Sequence, residues 1–121
     1  MARILFVDDD PLTLETLKRS VELFGHEALL ASSGEQAQTL VANHQPDLIL
    51  TDMMLPDMDG LSLVKTLKNT PSAAEIPVVV LSASPEVDVS EISLAAGAAE
   101  FLTKPVRLQT LQDVIQRYTG E

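Results

Sequence analysis

The first apolar run of the sequence, residues 4–7, leads directly into three adjacent carboxylates, Asp8, Asp9 and Asp10. Neighbouring carboxylates repel one another, and the chain already carries a formal net charge of -10. A divalent cation held between Asp8 and Asp9 would relieve that repulsion, and Mg²⁺ prefers a few carboxylates completed by water and phosphate oxygens. Asp8 and Asp9 therefore indicate a Mg²⁺ site at the end of a buried strand, whereas Asp10 is interpreted as a helix cap outside it.

Other groups that can do chemistry stand directly after later apolar runs. Asp52 follows the third run, Ser82 closes the fourth and Lys104 comes shortly after the fifth. A carboxylate can act as a nucleophile towards phosphorus. A metal ion, a lysine and a hydroxyl can together stabilise charge on a transferring phosphoryl group. The set of residues is thus suited to phosphoryl chemistry, provided that the fold brings the ends of these runs together.

The order of apolar runs and amphipathic stretches predicts that fold. Strands are predicted at residues 3–7, 27–30, 48–51, 77–81 and 100–102, and helices at 11–24, 33–43, 61–68, 87–96 and 106–118. Alternation of this kind predicts an α/β fold, a doubly wound five-stranded parallel sheet with five helices. The flavodoxin-like strand order 2-1-3-4-5 would place the first strand beside the third and gather all these groups at one edge of the sheet.

Local signals support the helix starts. Asp10 and Asp59 suit N-caps, and Ser33 with Gln36 resembles a capping box. Asp57 is interpreted, with Asp59, as a turn or cap residue, and His26 as a surface or turn residue.

Composition limits the classes of function. The sequence of 121 residues predicts a single domain, 1–121. An isoelectric point of about 4.4 disfavours direct binding to nucleic acid. There is no cysteine, which excludes disulfides and thiolate chemistry and is compatible with a cytoplasmic location. No apolar run approaches the length of a membrane span, so we expect no membrane association.

The sequence resembles the receiver domains of bacterial two-component response regulators. The stretches that carry the resemblance are "ILFVDDDP", "PDLILTDMMLPDMDG", "IPVVVLSAS" and "AAGAAEFLTKP". They stand in the family order and span most of the chain. The resemblance implies a switch controlled by phosphorylation, which would catalyse no reaction other than its own phosphorylation and dephosphorylation.

The resemblance also implies roles for individual residues. Asp52 matches the phosphoacceptor, which takes a phosphoryl group from a phosphohistidine. Asp8 and Asp9 match the acidic pair that holds Mg²⁺ together with Asp52 and the backbone carbonyl of Met54. Asp9 matches the direct ligand, and Asp8 acts through water.

Three further positions match the residues that respond to phosphorylation. Ser82 matches the hydroxyl residue that binds a phosphoryl oxygen, and Lys104 matches the lysine that pairs with the acidic cluster and then with the phosphoryl group. Phe101 matches the aromatic switch residue. The Lys104–Pro105 bond matches one that is usually cis in the family.

The implied partners follow from these roles. They are a sensor histidine kinase or phosphotransfer protein, and a downstream effector or an output domain outside this sequence. The implied output face comprises the fourth predicted helix, the fifth strand and the last helix, and it is a possible homodimer surface.

Two other functions stay open at this point. The chain could be a receiver-like binding module that is never phosphorylated. It could also be an aspartate-nucleophile phosphatase, with Asp8 as nucleophile and Asp10 as acid, because "FVDDDPLT" fits a D-x-D motif after a strand. Taken singly, each residue also has a structural interpretation: Asp8 as a cap, Ser82 as a backbone partner, and Lys104 as a solvated loop lysine.

Overall fold

The five apolar runs form one parallel sheet. The computed structural model describes residues 1–83, 94 and 96–121. The strands are β1 (Arg3–Val7), β2 (Glu27–Ala31), β3 (Leu48–Asp52), β4 (Val78–Ser82) and β5 (Glu100–Thr103). Their order in the sheet is β2-β1-β3-β4-β5, and all neighbouring pairs are parallel. The predicted fold class and strand order are therefore confirmed, and every strand lies within one residue of its predicted bounds.

Helices connect the strands and cover both faces of the sheet. They are α1 (Pro11–Leu23), α2 (Gly34–His44), α3 (Gly60–Lys68) and the C-terminal helix (Leu108–Thr119). The predicted helix at 87–96 lies, apart from Leu94 and Ala96, outside the described residues. Among the helices that the structure describes, none is long and apolar enough to cross a membrane.

The starts of three helices have the predicted side-chain caps. The carboxylates of Asp10 and Asp59 and the hydroxyl of Ser33 each accept a backbone N–H from the first turn of α1, α3 and α2, respectively. The last helix begins two residues later than predicted, because Arg107 is still extended (φ −73°, ψ 151°) and acts as its N-cap without a side-chain bond.

The sheet separates two apolar layers. Alternate residues of β1, β3 and β4 pack on one side with α2 and α3, and the intervening residues pack on the other side with α1 and the C-terminal helix. For example, Leu5 and Val7 belong to the first layer, whereas Ile4 and Phe6 belong to the second. Burial of both faces explains why these strands read as nearly continuous apolar runs.

The register of the strands fixes what meets at their carboxyl ends. Val7 of β1 is paired with Thr51 of β3, so Asp8 and Asp52 occupy adjacent positions one residue further on. Ser82 of β4 is paired with Thr103 of β5, directly before Lys104. The sheet therefore brings the carboxylates, the hydroxyl and the lysine to one edge, as the strand order predicted.

The interpretation of His26 as a surface or turn residue is wrong. Its side chain is buried, and its Nδ1 accepts the N–H of Ala2 at 3.0 Å. The chain turns at Gly25, where φ is +85°, and this turn carries the imidazole beneath the start of β1. The partner is a backbone amide 24 residues away, which no local sequence pattern could indicate.

Candidate functional site

Three carboxylates meet at the carboxyl ends of β1 and β3. Asp8, Asp9 and Asp52 each offer one oxygen, and these oxygens lie within 4.8 Å of one another. Their environments differ, since Asp8 is buried, Asp52 is half-buried and Asp9 is exposed. This arrangement provides one fixed oxygen inside the fold and two groups that a ligand from solvent can reach. It is the cluster that the sequence predicted.

Asp8 is held by the backbone on both sides. Its N–H donates to the carbonyl of Ala31 in β2 at 3.0 Å, and its Oδ1 accepts the N–H of Asp10 at 2.9 Å. The carboxylate therefore has a fixed direction before any ligand is present. Burial of a charged group without a partner would be costly, so a nearby cation is required.

Lys104 supplies that cation. Its Nζ lies 2.8 Å from Oδ2 of Asp8 and 3.1 Å from Oδ2 of Asp52, and so bridges the two strands. Burial alone would lower the pKa of Lys104, but hydrogen bonds and charge interactions with the two carboxylates outweigh it and raise this pKa above its ordinary value. The lysine is therefore fully charged at neutral pH.

Ser82 and Phe101 lie on β4 and β5, the two strands that follow β3 in the sheet. Ser82 is the buried last residue of β4, and its carbonyl accepts the N–H of Lys104 at 2.7 Å. Phe101 is half-buried in β5 and packs on the layer that contains α2 and α3. The Lys104–Pro105 peptide bond is cis, as the resemblance implied. The roles of Ser82 and Phe101 in switching stay predictions.

The segment after β3 is a tight loop that returns to the end of that strand at Asp52. Met54 pairs with Asp59 in an antiparallel bridge, and the N–H of Gly60 donates to the carbonyl of Met53 at 2.6 Å. A Cβ at Gly60 would lie 2.4 Å from the carbonyl oxygen of Asp52, so only glycine permits this approach. Gly60 therefore serves the entry from the loop into α3. The Met54 carbonyl remains a predicted ligand.

Asp10 is not part of the carboxylate cluster. Its two oxygens accept the N–H of Leu12 at 3.1 Å and the hydroxyl of Thr13 at 2.8 Å. The hydrogen bond from Thr13, followed by that from Leu12, lowers the pKa of Asp10 below its ordinary value. An ionised helix cap is poorly suited to donate a proton, which disfavours the phosphatase with Asp10 as acid.

Two details at the start of α2 differ from prediction. The Gln36 side chain accepts the N–H and hydroxyl of Ser32 instead of completing a capping box with Ser33. Asp57, interpreted as a turn or cap residue, does cap a helix, but the helix is distant in sequence: its carboxylate accepts the backbone N–H groups of Gly34 and Glu35 from 23 and 22 positions away. The contact of Asp57 with α2 joins elements that are distant in sequence, so the spacing of residues along the chain could not reveal it.

A groove runs beside the cluster. It has a volume of about 570 Å³ and is lined on one side by Leu12, Thr13 and Thr16 of α1, and on the other by Pro105 and Val106. Lys104 belongs to both the groove and the carboxylate cluster. Leu12 is 74% exposed. Solvent therefore reaches the edge of the carboxylate cluster through this largely apolar groove.

The donor set fits a small hard cation. Three carboxylates that lie close together are oxygen ligands of the kind that Mg²⁺ takes together with water. A lysine at 2.8–3.1 Å balances part of the negative charge. The same oxygens include a half-buried carboxylate, Asp52, that could attack phosphorus.

Comparison with known proteins identifies the family. The model of the response regulator receiver domain matches residues 4–116. The chain is 40% identical over 118 residues to the gliding motility regulatory protein of Myxococcus xanthus, covering 97% of this chain and 15% of that protein. It is 39% identical over 109 residues to response regulator MprA of Mycobacterium sp. (strain KMS), covering 90% and 46%.

A solved structure shows the same fold. The crystal structure of a putative response regulator from Chloroflexus aurantiacus J-10-fl superposes with a TM-score of 0.92 at 29% identity, covering 99% of this chain and 98% of that chain. The chain belongs to the response regulator receiver domain family. It spans less than half the length of the two curated relatives above.

Proposed function

We propose that the chain accepts a phosphoryl group on Asp52 from a phosphohistidine, and that this modification switches its affinity for a partner. The observation that carries the proposal is the bridge of Lys104 between Asp8 and Asp52, with an oxygen of Asp9 within the same 4.8 Å cluster. A purely structural ion pair would not need the exposed third carboxylate.

In the proposed step an oxygen of Asp52 attacks phosphorus. The new O–P bond forms as the P–N bond to the donor imidazole breaks, and that nitrogen leaves with the bonding electron pair and takes up a proton. The ammonium of Lys104, already 3.1 Å from Oδ2 of Asp52, would pair with the developing charge on the phosphoryl oxygens.

Asp8, Asp9, Asp52 and the carbonyl of Met54 are the residues proposed to hold Mg²⁺. When bound, the ion would neutralise charge on the carboxylates and on the phosphoryl oxygens. The buried carboxylate of Asp8, fixed by Asp10 and Lys104, sets the position of the site before the ion arrives.

The proposed switch uses residues on three neighbouring strands of the sheet, β3, β4 and β5. Phosphorylation of Asp52 would draw the hydroxyl of Ser82 and the ammonium of Lys104 towards the phosphoryl group. Phe101 would then repack, and the change would reach the face that includes β5 and the C-terminal helix. That face is the proposed surface for an effector, an output domain or a second copy of the chain.

The groove beside Lys104 is the proposed docking place of the donor. An incoming imidazole must approach Asp52 from the solvent side, and exposed Leu12 and the apolar lining offer a contact surface there. A sensor histidine kinase or phosphotransfer protein is the proposed donor, and the cytoplasm is the proposed compartment of the exchange.

Beryllofluoride provides a test, because it mimics a phosphoryl group on a carboxylate without chemistry. With Mg²⁺ present, we expect changes in the amide NMR signals of Asp52, Ser82 and Lys104, and further changes at Phe101 and in the C-terminal helix. The Asp52→Asn variant should show none of them. Changes confined to the carboxylate cluster would contradict the switch, and no change at all would contradict the proposed function.

Mg²⁺ is expected to stabilise the folded protein. It would relieve the repulsion among Asp8, Asp9 and Asp52, and it binds the native state alone. At a free concentration of about 100 times Kd, the free energy of unfolding should rise by about 2.7 kcal/mol. For a domain of this size the melting temperature would rise by about 10 °C.

Thermal unfolding with Mg²⁺, compared with NaCl of equal ionic strength, measures this shift. In Asp9→Asn the gain at the same Mg²⁺ concentration should be much smaller. An unmoved melting temperature in the wild type would speak against the metal site.

A further inference from the structure

The loop between β3 and α3, residues 53–59, is fastened to a helix that lies far from it in sequence. The two carboxylate oxygens of Asp57 accept the backbone N–H groups of Gly34 at 2.8 Å and Glu35 at 2.9 Å. These N–H groups open α2, where they have no partner within the helix. Asp57 thus completes the cap of α2 from another element.

Two residues, Ser33 and Asp57, cap the N-terminus of α2. Ser33 accepts the N–H of Gln36 through its hydroxyl and so caps a different amide. Hydrogen bonds from Gly34 and then Glu35 lower the pKa of Asp57 below its ordinary value. Asp57 therefore remains ionised at neutral pH, where a negative charge at a helix N-terminus is favourable.

Side-chain packing reinforces the same contact. A Cβ at Gly34 would lie 2.5 Å from Sδ and 2.6 Å from Cγ of Met58. The side chain of Met58, next to Asp57, therefore packs directly over the first residue of α2. The tip of the loop and the start of the helix fit together through two hydrogen bonds and one close apolar contact.

The same loop carries a predicted ligand of the metal. Its base is closed by the bridge between Met54 and Asp59 and by the bond from Gly60 to Met53. Met54 itself is 71% exposed, so its side chain contributes little to holding the backbone in place. The direction of the Met54 carbonyl must therefore depend on how the rest of the loop is held.

We propose that Asp57 is a positioning residue for the metal site, which fixes the loop against α2 so that the Met54 carbonyl stays directed at the cation. The inference rests on the proposed function, since it takes the Mg²⁺ site as given. Outer groups that orient metal ligands are typically worth about 10–100-fold in affinity. Asp57 acts through a backbone loop, so we expect the lower end of that range, about tenfold.

The first test compares Asp57→Asn with the wild type in a Mg²⁺ titration followed by amide NMR shifts of Asp9 and Asp52. We expect the dissociation constant to rise about tenfold. The matched control is Glu35→Gln, which removes an exposed negative charge beside the same contact but leaves the backbone N–H of residue 35 in place. That control should bind Mg²⁺ nearly as tightly as the wild type.

The second test separates positioning from a merely structural role. In phosphorylation by acetyl phosphate, the Mg²⁺ concentration for half-maximal rate should rise in Asp57→Asn, whereas the rate at saturating Mg²⁺ should stay close to that of the wild type. Amide hydrogen exchange at Gly34 and Glu35 should be faster in the metal-free variant, which reports the broken contact directly. Asp57→Ala should give the same results, because its side chain is exposed and the core is untouched.

The possible failures are distinguishable. If the wild type itself shows no Mg²⁺ binding, the proposed function loses its metal site and the inference falls with it. If the wild type binds and Asp57→Asn binds equally well while amide exchange is faster, the contact exists but does not position the ligand, and the inference alone is overturned. An equal loss of affinity in Glu35→Gln would assign the effect to charge and would also overturn it.

Discussion

Asp52→Asn is expected to abolish stable phosphorylation of the chain by acetyl phosphate and Mg²⁺. The carboxylate of Asp52 is half-buried at the end of β3 and is the group that both solvent and Lys104 reach. An amide at this position has no anionic oxygen to attack phosphorus. Intact mass spectra should show one added phosphoryl group on the wild type and none on the variant.

The variant should remain folded. Replacing Asp52 removes one of three mutually repelling carboxylates, while Lys104 keeps its contact of 2.8 Å with Asp8. Its melting temperature without metal should therefore equal or exceed that of the wild type. A phosphoryl adduct of undiminished yield on a folded Asp52→Asn protein would show that the acceptor has been wrongly assigned.

Lys104→Met is expected to destabilise the metal-free protein and to tighten its binding of Mg²⁺. Methionine keeps the length and apolar stem of the side chain but leaves buried Asp8 without its cation. Loss of one partner from a buried pair costs about 3–5 kcal/mol. Because the lysine is partly exposed, we expect about 2 kcal/mol. The more negative cluster should then attract the divalent ion more strongly.

The pH dependence of this effect has a defined sign. The pKa of Lys104 is raised above the ordinary value of 10.5, so the ion pair stabilises the fold fully below about pH 10. That stabilisation is lost as the pH rises through the pKa of the folded state. The difference between wild type and variant should therefore be constant from neutral pH to about pH 10 and shrink only above it.

Urea unfolding of the metal-free proteins measures the loss of stability, and a Mg²⁺ titration measures the gain in affinity. Lys65→Met is the matched control, because this lysine is exposed on α3. Lys65→Met should change neither the free energy of unfolding nor the free energy of Mg²⁺ binding by more than about 0.5 kcal/mol. Unchanged stability in Lys104→Met would mean that the bridge contributes nothing to the fold.

The sequence predicted the strands, which show as apolar runs, and the chemical groups that stand directly after those strands. Apolar runs buried on both faces identified the strands, and the groups that follow them, Asp8, Asp52 and Lys104, could be assigned to one edge once the strand order was assumed. The caps Asp10 and Asp59 were predictable because each accepts an N–H two or three residues further along. These signals are local, or follow from parallel topology.

Two of the contacts that escaped prediction have backbone partners distant in sequence. His26 is buried because it accepts the N–H of Ala2, and Asp57 serves a helix that starts 23 positions earlier. Backbone amides carry no sequence signal, so a side chain directed at one looks like an ordinary turn or surface residue. The packing of the turn before β2 against the start of β1 reveals the partner of His26, and the packing of the loop between β3 and α3 against α2 reveals the partners of Asp57.

The phosphoacceptor role of Asp52 is tested most directly by identifying the residue that carries the phosphoryl group. The wild type, treated with acetyl phosphate and Mg²⁺, can be reduced with borohydride, digested and sequenced by tandem mass spectrometry, since reduction marks an acyl phosphate as homoserine. We expect homoserine at position 52 in place of Asp52, and no homoserine when Mg²⁺ is removed by chelation. Homoserine at position 8 instead would contradict the assignment of Asp52 as phosphoacceptor and would favour the phosphatase in which Asp8 is the nucleophile.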